Sequence, residues 1–172
     1  ALSMVNFAVY MAYFPRVLAG PIERVAAFVP YFDTRRTVDV ALMRESLVVL
    51  AQGAIRKVVI ADLLFIIIPN NLFSRPQQFS SIELAFWLPV YSFAVYNDFA
   101  GYSAMARGIS GLFGIPLVIN FNTPFFSRTF REFWQRWHIS LSDLLRDYVY
   151  MPVSRFLLRR NYKRDHIYSL VL

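Results

Sequence analysis

The chain reads as an all-α, polytopic membrane protein, and three observations predict that fold class. Apolar residues make up 57% of the sequence and the mean hydropathy is +0.42, both above the usual soluble range, so the bilayer is the solvent this composition fits. The stretch from Leu84 to Ala106 runs 23 residues with Asp98 as its one charge, enough to cross about 30 Å of hydrocarbon at about 1.5 Å per residue. Basic residues gather late: from Arg128 to Arg164 there are nine Arg and Lys against three acids, which is +6 of the net +7. Such a block beside apolar segments reads as a cytoplasmic loop, or as a contact with anionic lipid head groups.

The same composition narrows the chemistry. There is no cysteine, which removes thiolate nucleophiles, disulfides and cysteine metal sites together. A pI near 10 would also suit nucleic acid, but the apolar runs leave no soluble domain to present the charge, so no nucleic-acid partner is expected.

The elements follow in order. Residues 1 to 15 carry no charge and end at Phe14-Pro15, where proline disfavours helix in the residue before it; this is the expected tail of a membrane helix. Pro15 to Pro30 is a connector, with a turn signal and charges in Ala19-Gly20-Pro21-Ile22-Glu23-Arg24. The polar run Asp33 to Asp39 leaves the membrane, and Thr37 or Asp39 can cap a helix predicted from Val40 to Ile68, stopped by Pro69-Asn70-Asn71. On that helix Glu45, Gln52 and Arg56 share one face, which meets protein or water, or else lies half buried at the interface.

The span from Leu84 to Ala106 is expected to kink at Pro89. Gly108 to Ser127 is also free of charge, but Gly108, Gly111, Gly114, Pro116, Asn120, Asn122 and Pro124 break it, so it reads as a helix end followed by irregular or re-entrant chain. From Thr129 to Tyr150 the helical period is clearest: Phe130, Phe133, Trp134, Trp137, Leu141, Leu144, Leu145 and Tyr148 fall within about 120°, opposite Glu132, Arg136, Asp143 and Asp147. One amphipathic helix lying at the interface is expected there. An Arg-rich segment, 155–164, follows, and Ile167 opens a new apolar run. Both ends of the chain fall inside apolar segments, without an initiator methionine or signal peptide, so the sequence reads as a piece of something longer.

Few residues could carry chemistry. His138 sits among aromatic rings at the edge of the amphipathic arc, one turn before Ser142; imidazole titrates near neutrality and can take a proton from a hydroxyl. The alternative is a structural histidine packed in the tryptophan cluster. Asp98 within a span needs a partner or water, and Arg107 or Arg131 is the expected partner. Ala100, Gly101, Ser103 and Ala104 read as close helix packing, and Ser103 lacks the flanking glycines of a nucleophile elbow. The glycines at 108, 111 and 114 lack the lysine of a phosphate loop. Glu132 with Arg128 and Arg136 gives i,i+4 ion pairs on a solvated face. His138 and His166, with no nearby ligand residues, make no metal site.

The stretch EFWQRWHISLS from Glu132 to Ser142, with Arg146-Asp147-Tyr148 and Tyr150-Met151-Pro152, resembles the signature of the membrane-bound O-acyltransferase family, in its bacterial branch of alginate O-acetyltransferases and teichoic acid D-alanyl transfer proteins. Tyr13-Phe-Pro-Arg-Val-Leu-Ala-Gly-Pro-Ile-Glu-Arg24, Tyr96-Asn-Asp-Phe-Ala-Gly-Tyr-Ser103 and Asn120-Phe-Asn-Thr-Pro124 fit the same family in the same order, so the likeness covers nearly the whole chain. Gln135 stands where the family often has arginine, and Pro152-Val-Ser-Arg155 replaces a common Pro-Leu-Gly-Gly turn.

The resemblance implies a multi-helix membrane enzyme with a tunnel through a thinned centre, here a partial domain over residues 1–172, truncated at both ends and inactive alone. It implies transfer of an acyl group, most simply acetyl, from a cytoplasmic thioester to a hydroxyl of a cell-envelope polysaccharide. No bound cofactor is implied; acetyl-coenzyme A or an acyl-carrier protein is the co-substrate. Implied partners are membrane lipids, the acyl donor or its carrier, and the acceptor, reached through a periplasmic partner, in the bacterial cytoplasmic membrane with segment 155–164 on the cytoplasmic side. His138 takes the family's first histidine position, with Phe133, Trp134, Trp137 and Ser142 lining the tunnel and Asp98, Arg146 and Asp147 as scaffold. The resemblance places the family's second histidine, usually its catalytic base, in a Trp-His-Gly context that His166 lacks, beyond Leu172. A transporter relying on Asp98, or a non-catalytic membrane scaffold, are the rival readings.

Overall fold

The computed structural model describes residues 3–33 and 39–159, and every regular element among them is helical. The chain divides into two compact units, Ala1–Ile119 and Asn120–Leu172.

The first unit opens with α1 (Met4–Ala12), capped by Ser3, whose Oγ accepts the Asn6 N–H at 3.0 Å. It ends before Phe14-Pro15 as expected, yet the chain re-enters a single turn, α2 (Phe14–Val17), because Pro15 lies in the first turn where its missing N–H costs nothing. Two more single turns, α3 (Val25–Phe28) and α4 (Pro30–Asp33), wrap Phe28, which is 1% exposed and packs with Ile115 and Leu117. Tyr13 and Phe32 meet the Phe28 ring edge-on, with centroids at 5.1 and 5.2 Å, a geometry that adds about 0.5–1.5 kcal/mol per pair beyond area burial.

The helix predicted over 40–68 is present as one unbroken rod over 40–67, built of α5 (Val40–Ala54), a π segment (Ile55–Ala61) and α6 (Asp62–Ile67). Asp39 is its cap, accepting the N–H groups of Ala41 at 2.9 Å and Leu42 at 3.2 Å; Thr37 lies outside the described residues. The π segment was not legible in the sequence. On either side of Pro69, Ile68 and Leu72 pack on Ala94 of the next helix.

That next helix, α7 (Ser81–Leu112), starts at a capping box in which Ser80 and Glu83 satisfy each other's backbone N–H. It contains the whole predicted span and Pro89, and it runs on through Gly108 and Gly111, which the sequence reading took as breakers. The reason is tertiary. A Cβ at Gly53 would lie 2.6 Å from the Met105 nitrogen, one at Gly101 2.7 Å from the Lys57 nitrogen, and one at Gly108 2.7 Å from the Leu50 nitrogen; one at Gly111 would overlap Ser46 Oγ. α7 thus crosses the 40–67 rod backbone to backbone, and close packing offsets the helix penalty of glycine. Ala100 and Ser103 are buried in the same seam, as expected, while Ala104 is half-buried.

The helix ends at Gly114, at φ 72°. There the Gly114 N–H bonds the Gly111 oxygen at 2.9 Å and the Ile115 N–H bonds the Ser110 oxygen at 3.0 Å, the paired bonds of a Schellman end. Irregular chain follows, in line with the expectation for this stretch.

No helix among the described residues is long and apolar enough to cross a membrane. α7 has the length, but Tyr91, Tyr96, Asn97, Asp98 and Tyr102 dilute it; the 40–67 rod carries Arg44, Glu45, Arg56, Lys57 and Asp62. Large apolar side chains are exposed on these helices all the same, with Ile66 at 77% and Ile82 at 83%.

The second unit corrects the prediction of one amphipathic helix over 129–150. After a 3-10 turn (Pro124–Phe126) come α8 (Phe130–Arg136), α9 (Ile139–Leu145), a π segment (Arg146–Tyr150) and α10 (Met151–Arg159). The chain breaks between α8 and α9 at His138, and helix then runs without a gap from Ile139 to Arg159, with Pro152 directly after the π segment. Arg155 and Arg159 lie on α10; Arg160, Lys163, Arg164, His166 and the apolar run from Ile167 lie outside the described residues.

Candidate active site

The site begins with the break. His138 has φ 42° and ψ 56°, a left-handed conformation that few non-glycine residues adopt and that holds only where the surroundings impose it. The surroundings here are the segment just before Pro124. The Asn122 N–H bonds the Arg136 oxygen at 2.9 Å and the Asn120 oxygen accepts the Ile139 N–H at 2.9 Å, so two backbone bonds clamp the chain on either side of His138. A second left-handed residue, Thr123 at φ 44°, turns that segment into Pro124. Thr129 begins α8 by accepting the Glu132 N–H at 3.1 Å, and Glu132 returns an oxygen to the Arg128 N–H at 2.7 Å.

The rings follow from this backbone. His138 stacks on Phe121, with centroids 6.3 Å apart and planes 19° apart. Phe121 meets Trp137 edge-on at 5.2 Å, and Trp137 stacks on Phe133 at 5.5 Å. Trp134 touches Phe133 at 5.4 Å but is 57% exposed, so the continuous aromatic face implied by one long helix is divided by the left-handed turn. The His138 ring is half-buried, and burial pushes its pKa below the ordinary imidazole value; it lies between the short helices α8 and α9, outside the long helices. A neutral imidazole is therefore favoured, the form that can accept a proton. The Ser142 hydroxyl makes only long contacts, 3.5 Å, to the Trp134 and Trp137 oxygens.

The charged residues separate from this cluster. Arg146 pairs with Asp143 at 2.8 Å and with Asp147 at 3.0 Å, all of them well exposed, which is a surface network of small energetic weight. Glu132 pairs with Arg136 at 2.5 Å as expected, while its link to Arg128 runs through the backbone N–H. Among the described residues, no three His, Asp or Glu side chains are grouped to hold a metal.

Asp98 belongs to the first unit. Its partner is neither Arg107 nor Arg131 but Lys57, whose Nζ lies 2.6 Å from Asp98 Oδ1 and 2.7 Å from Asp62 Oδ1. Lys57 lies in the π segment; Arg107 instead donates to the Leu117 oxygen at 3.3 Å and faces Glu45. Beside it, a cavity of about 60 Å³ lined by Glu45, Ser46, Val49, Arg107 and Leu117 is far below the several hundred Å³ a small-molecule site needs. Arg56 of the predicted polar stripe does face protein, donating to the Tyr96 hydroxyl at 3.3 Å, whereas Gln52 is exposed.

Two residues of weight were not singled out beforehand. Glu23 in the first motif is 7% exposed; it accepts the Val118 N–H at 2.6 Å, and its backbone oxygen accepts from the Tyr10 hydroxyl at 2.8 Å. Burial pushes the Glu23 carboxyl up, against the Val118 bond and the charge of Arg16, whose guanidinium lies 3.7 Å from the Tyr10 ring centre. Asn120 is the other; its signals in the sequence were its place among the breakers of 108–127 and in the Asn120–Pro124 motif.

Comparison with known proteins places this arrangement. The model of MBOAT, the membrane-bound O-acyltransferase family, matches residues 1–170. The chain is 38% identical over 154 residues to the probable alginate O-acetylase AlgI of Pseudomonas aeruginosa, covering 88% of this chain and 29% of that protein. It is 34% identical over 157 residues to the peptidoglycan O-acetyltransferase of Helicobacter pylori, covering 87% of this chain and 28% of that one. To the teichoic acid D-alanyltransferase of Bacillus subtilis it is 33% identical over 165 residues, covering 92% and 40%. The chain thus spans less than a third of the length of the first two relatives. Since the match runs from the Glu23 motif through the clamped turn at His138, this chain belongs to the membrane-bound O-acyltransferase family.

Proposed function

We propose that the protein of which this sequence forms part is a membrane O-acyltransferase that moves an acyl group, most simply acetyl, from a thioester to a hydroxyl of a cell-envelope polysaccharide. One observation carries the reading: the His138 imidazole is half-buried, stacked on Phe121 and shifted toward its neutral form on a backbone turn that only its surroundings hold. Strained backbone at a titratable residue points to chemistry more than to packing. Family membership and relatives named for O-acetylation and D-alanylation of envelope polymers support the same reaction class.

In mechanism, His138 takes the proton of the acceptor hydroxyl as its oxygen attacks the thioester carbonyl. The new carbon–oxygen bond forms, the carbon–sulfur bond breaks, and the leaving thiolate recovers the proton from the imidazolium. A second histidine beyond Leu172 orients the hydroxyl or holds the carbonyl oxygen. Phe133 and Trp137 keep water from the imidazole, and Trp134 and Ser142 line the approach. Asp98, Arg146 and Asp147 are scaffold. Acetyl-coenzyme A or an acyl-carrier protein supplies the acyl group, and the attacking hydroxyl belongs to the polysaccharide or to a periplasmic partner that carries the acyl group on to it. The protein sits in the bacterial cytoplasmic membrane with segment 155–164 on the cytoplasmic face.

The test is polymer acylation by the full-length protein at matched expression. His138→Ala should lower it by about 10²–10⁴, whereas Asp98→Asn, which leaves Lys57 paired with Asp62, should stay near the parent level. Normal acylation by the histidine variant removes His138 from the mechanism; a loss confined to the Asp98 variant favours a transporter.

A further inference from the structure

The N-cap of α9 is His138, yet its side chain makes no cap bond to the helix it begins. The first N–H groups of a helix have no partner inside it and need one elsewhere. For α9 that partner is Asn120, 1% exposed and earlier in the chain: its backbone oxygen accepts the Ile139 N–H at 2.9 Å and its side-chain Oδ1 accepts the Ser140 N–H at 3.3 Å. Asn120 does from outside the helix what Ser or Asp at the N-cap position would do from within. The consequence falls on the imidazole, which lies against Phe121, the neighbour of Asn120, instead of folding back onto its own helix.

We infer that Asn120 is the positioning residue for His138: by capping α9 from outside, it holds the left-handed turn and aims the imidazole. The inference rests on the reading of His138 as the reacting base and adds to it the residue that sets its geometry. Both bonds use oxygens of Asn120, while its buried Nδ2 has no hydrogen-bond partner among the described residues. A substitution that keeps the oxygen should therefore keep the function.

The test uses membranes containing the full-length protein, with acetyl-coenzyme A as the thioester probe and the folded fraction measured by size exclusion. Asn120→Ala keeps the backbone bond to Ile139 and deletes the one to Ser140. It should lower kcat per folded molecule at least about tenfold, with KM within about twofold, the pattern of a mispositioned base. Asn120→Asp keeps an oxygen for the Ser140 N–H and should stay within about fivefold of the parent kcat.

Parent-like kcat per folded molecule in Asn120→Ala overturns the inference, and so does a folded Asn120→Asp that loses as much as the alanine variant. Should the alanine variant not fold, the aspartate variant decides alone by the same limits. His138→Ala in the same membranes separates the two claims: if it is fully active, the acyl-transfer role of His138 fails, whatever Asn120 does.

Discussion

At the scale of single residues, two ionisable side chains, His138 and Asp98, are each set by partners distant in sequence. His138 stood out because the chain has only two histidines and this one lies among aromatic rings. Nothing in its flanks announced a left-handed backbone, since Trp137-His138-Ile139 continues an otherwise regular helical period. The clamp that imposes the turn comes from Asn120 and Asn122, and non-local hydrogen bonds leave no periodic trace. Asp98 within an apolar stretch needs a cation, but choosing between Lys57, Arg107 and Arg131 requires knowing which helix faces which, and that is set by tertiary packing. This pairing makes an ordered prediction. Lys57→Met leaves both Asp62 and Asp98 without their lysine, whereas Asp98→Asn keeps one ion pair, so the lysine variant should lose slightly more thermal stability in detergent. Equal melting temperatures for the two variants would contradict the shared-cation geometry.

Among elements, the long ones were legible and the broken ones were not. Val40 to Ile68 was placed to within a residue because its capping and stopping signals are local: Asp39 at one end and Pro69-Asn70-Asn71 at the other. α7 was cut short because glycine lowers intrinsic helix propensity, and a single sequence does not say that a neighbouring backbone fills the space. The seam with Gly53, Gly101 and Gly108 makes that competition measurable. Gly53→Val forces a side chain against Met105 and the Gly101 oxygen and should cost at least about 2 kcal/mol, read as a lowered thermal midpoint or as loss of folded protein. A substitution tolerated without change would mean that the two helices do not approach this closely. The interfacial helix over 129–150 was wrong as one element and right as an aromatic-rich region, because α8 and α9 each keep the helical period on their own side of the break.

For the molecule as a whole, composition and helices give different impressions until the surface is considered. No described helix is apolar enough to cross a membrane alone, yet Met4, Leu18, Ile66, Ile82, Phe126 and Phe130 are among many large apolar side chains left exposed. That surface fits contact with lipid or with further protein, and the chain spans less than a third of the length of its first two relatives. Residues 1–172 expressed alone should stay with the membrane fraction through alkaline carbonate extraction and need detergent for release; recovery in the supernatant would contradict this.

The central claim is that a neutral His138 moves a proton during acyl transfer. Its most direct test is the pH dependence of the single-turnover acylation rate of the full-length enzyme. Burial lowers the His138 pKa, so the imidazole remains a competent base below its ordinary value of about 6.5, and the rate should fall only as pH drops through that lowered value. In His138→Ala this acidic limb should vanish along with most of the rate. An unchanged limb and rate in that variant would contradict the account.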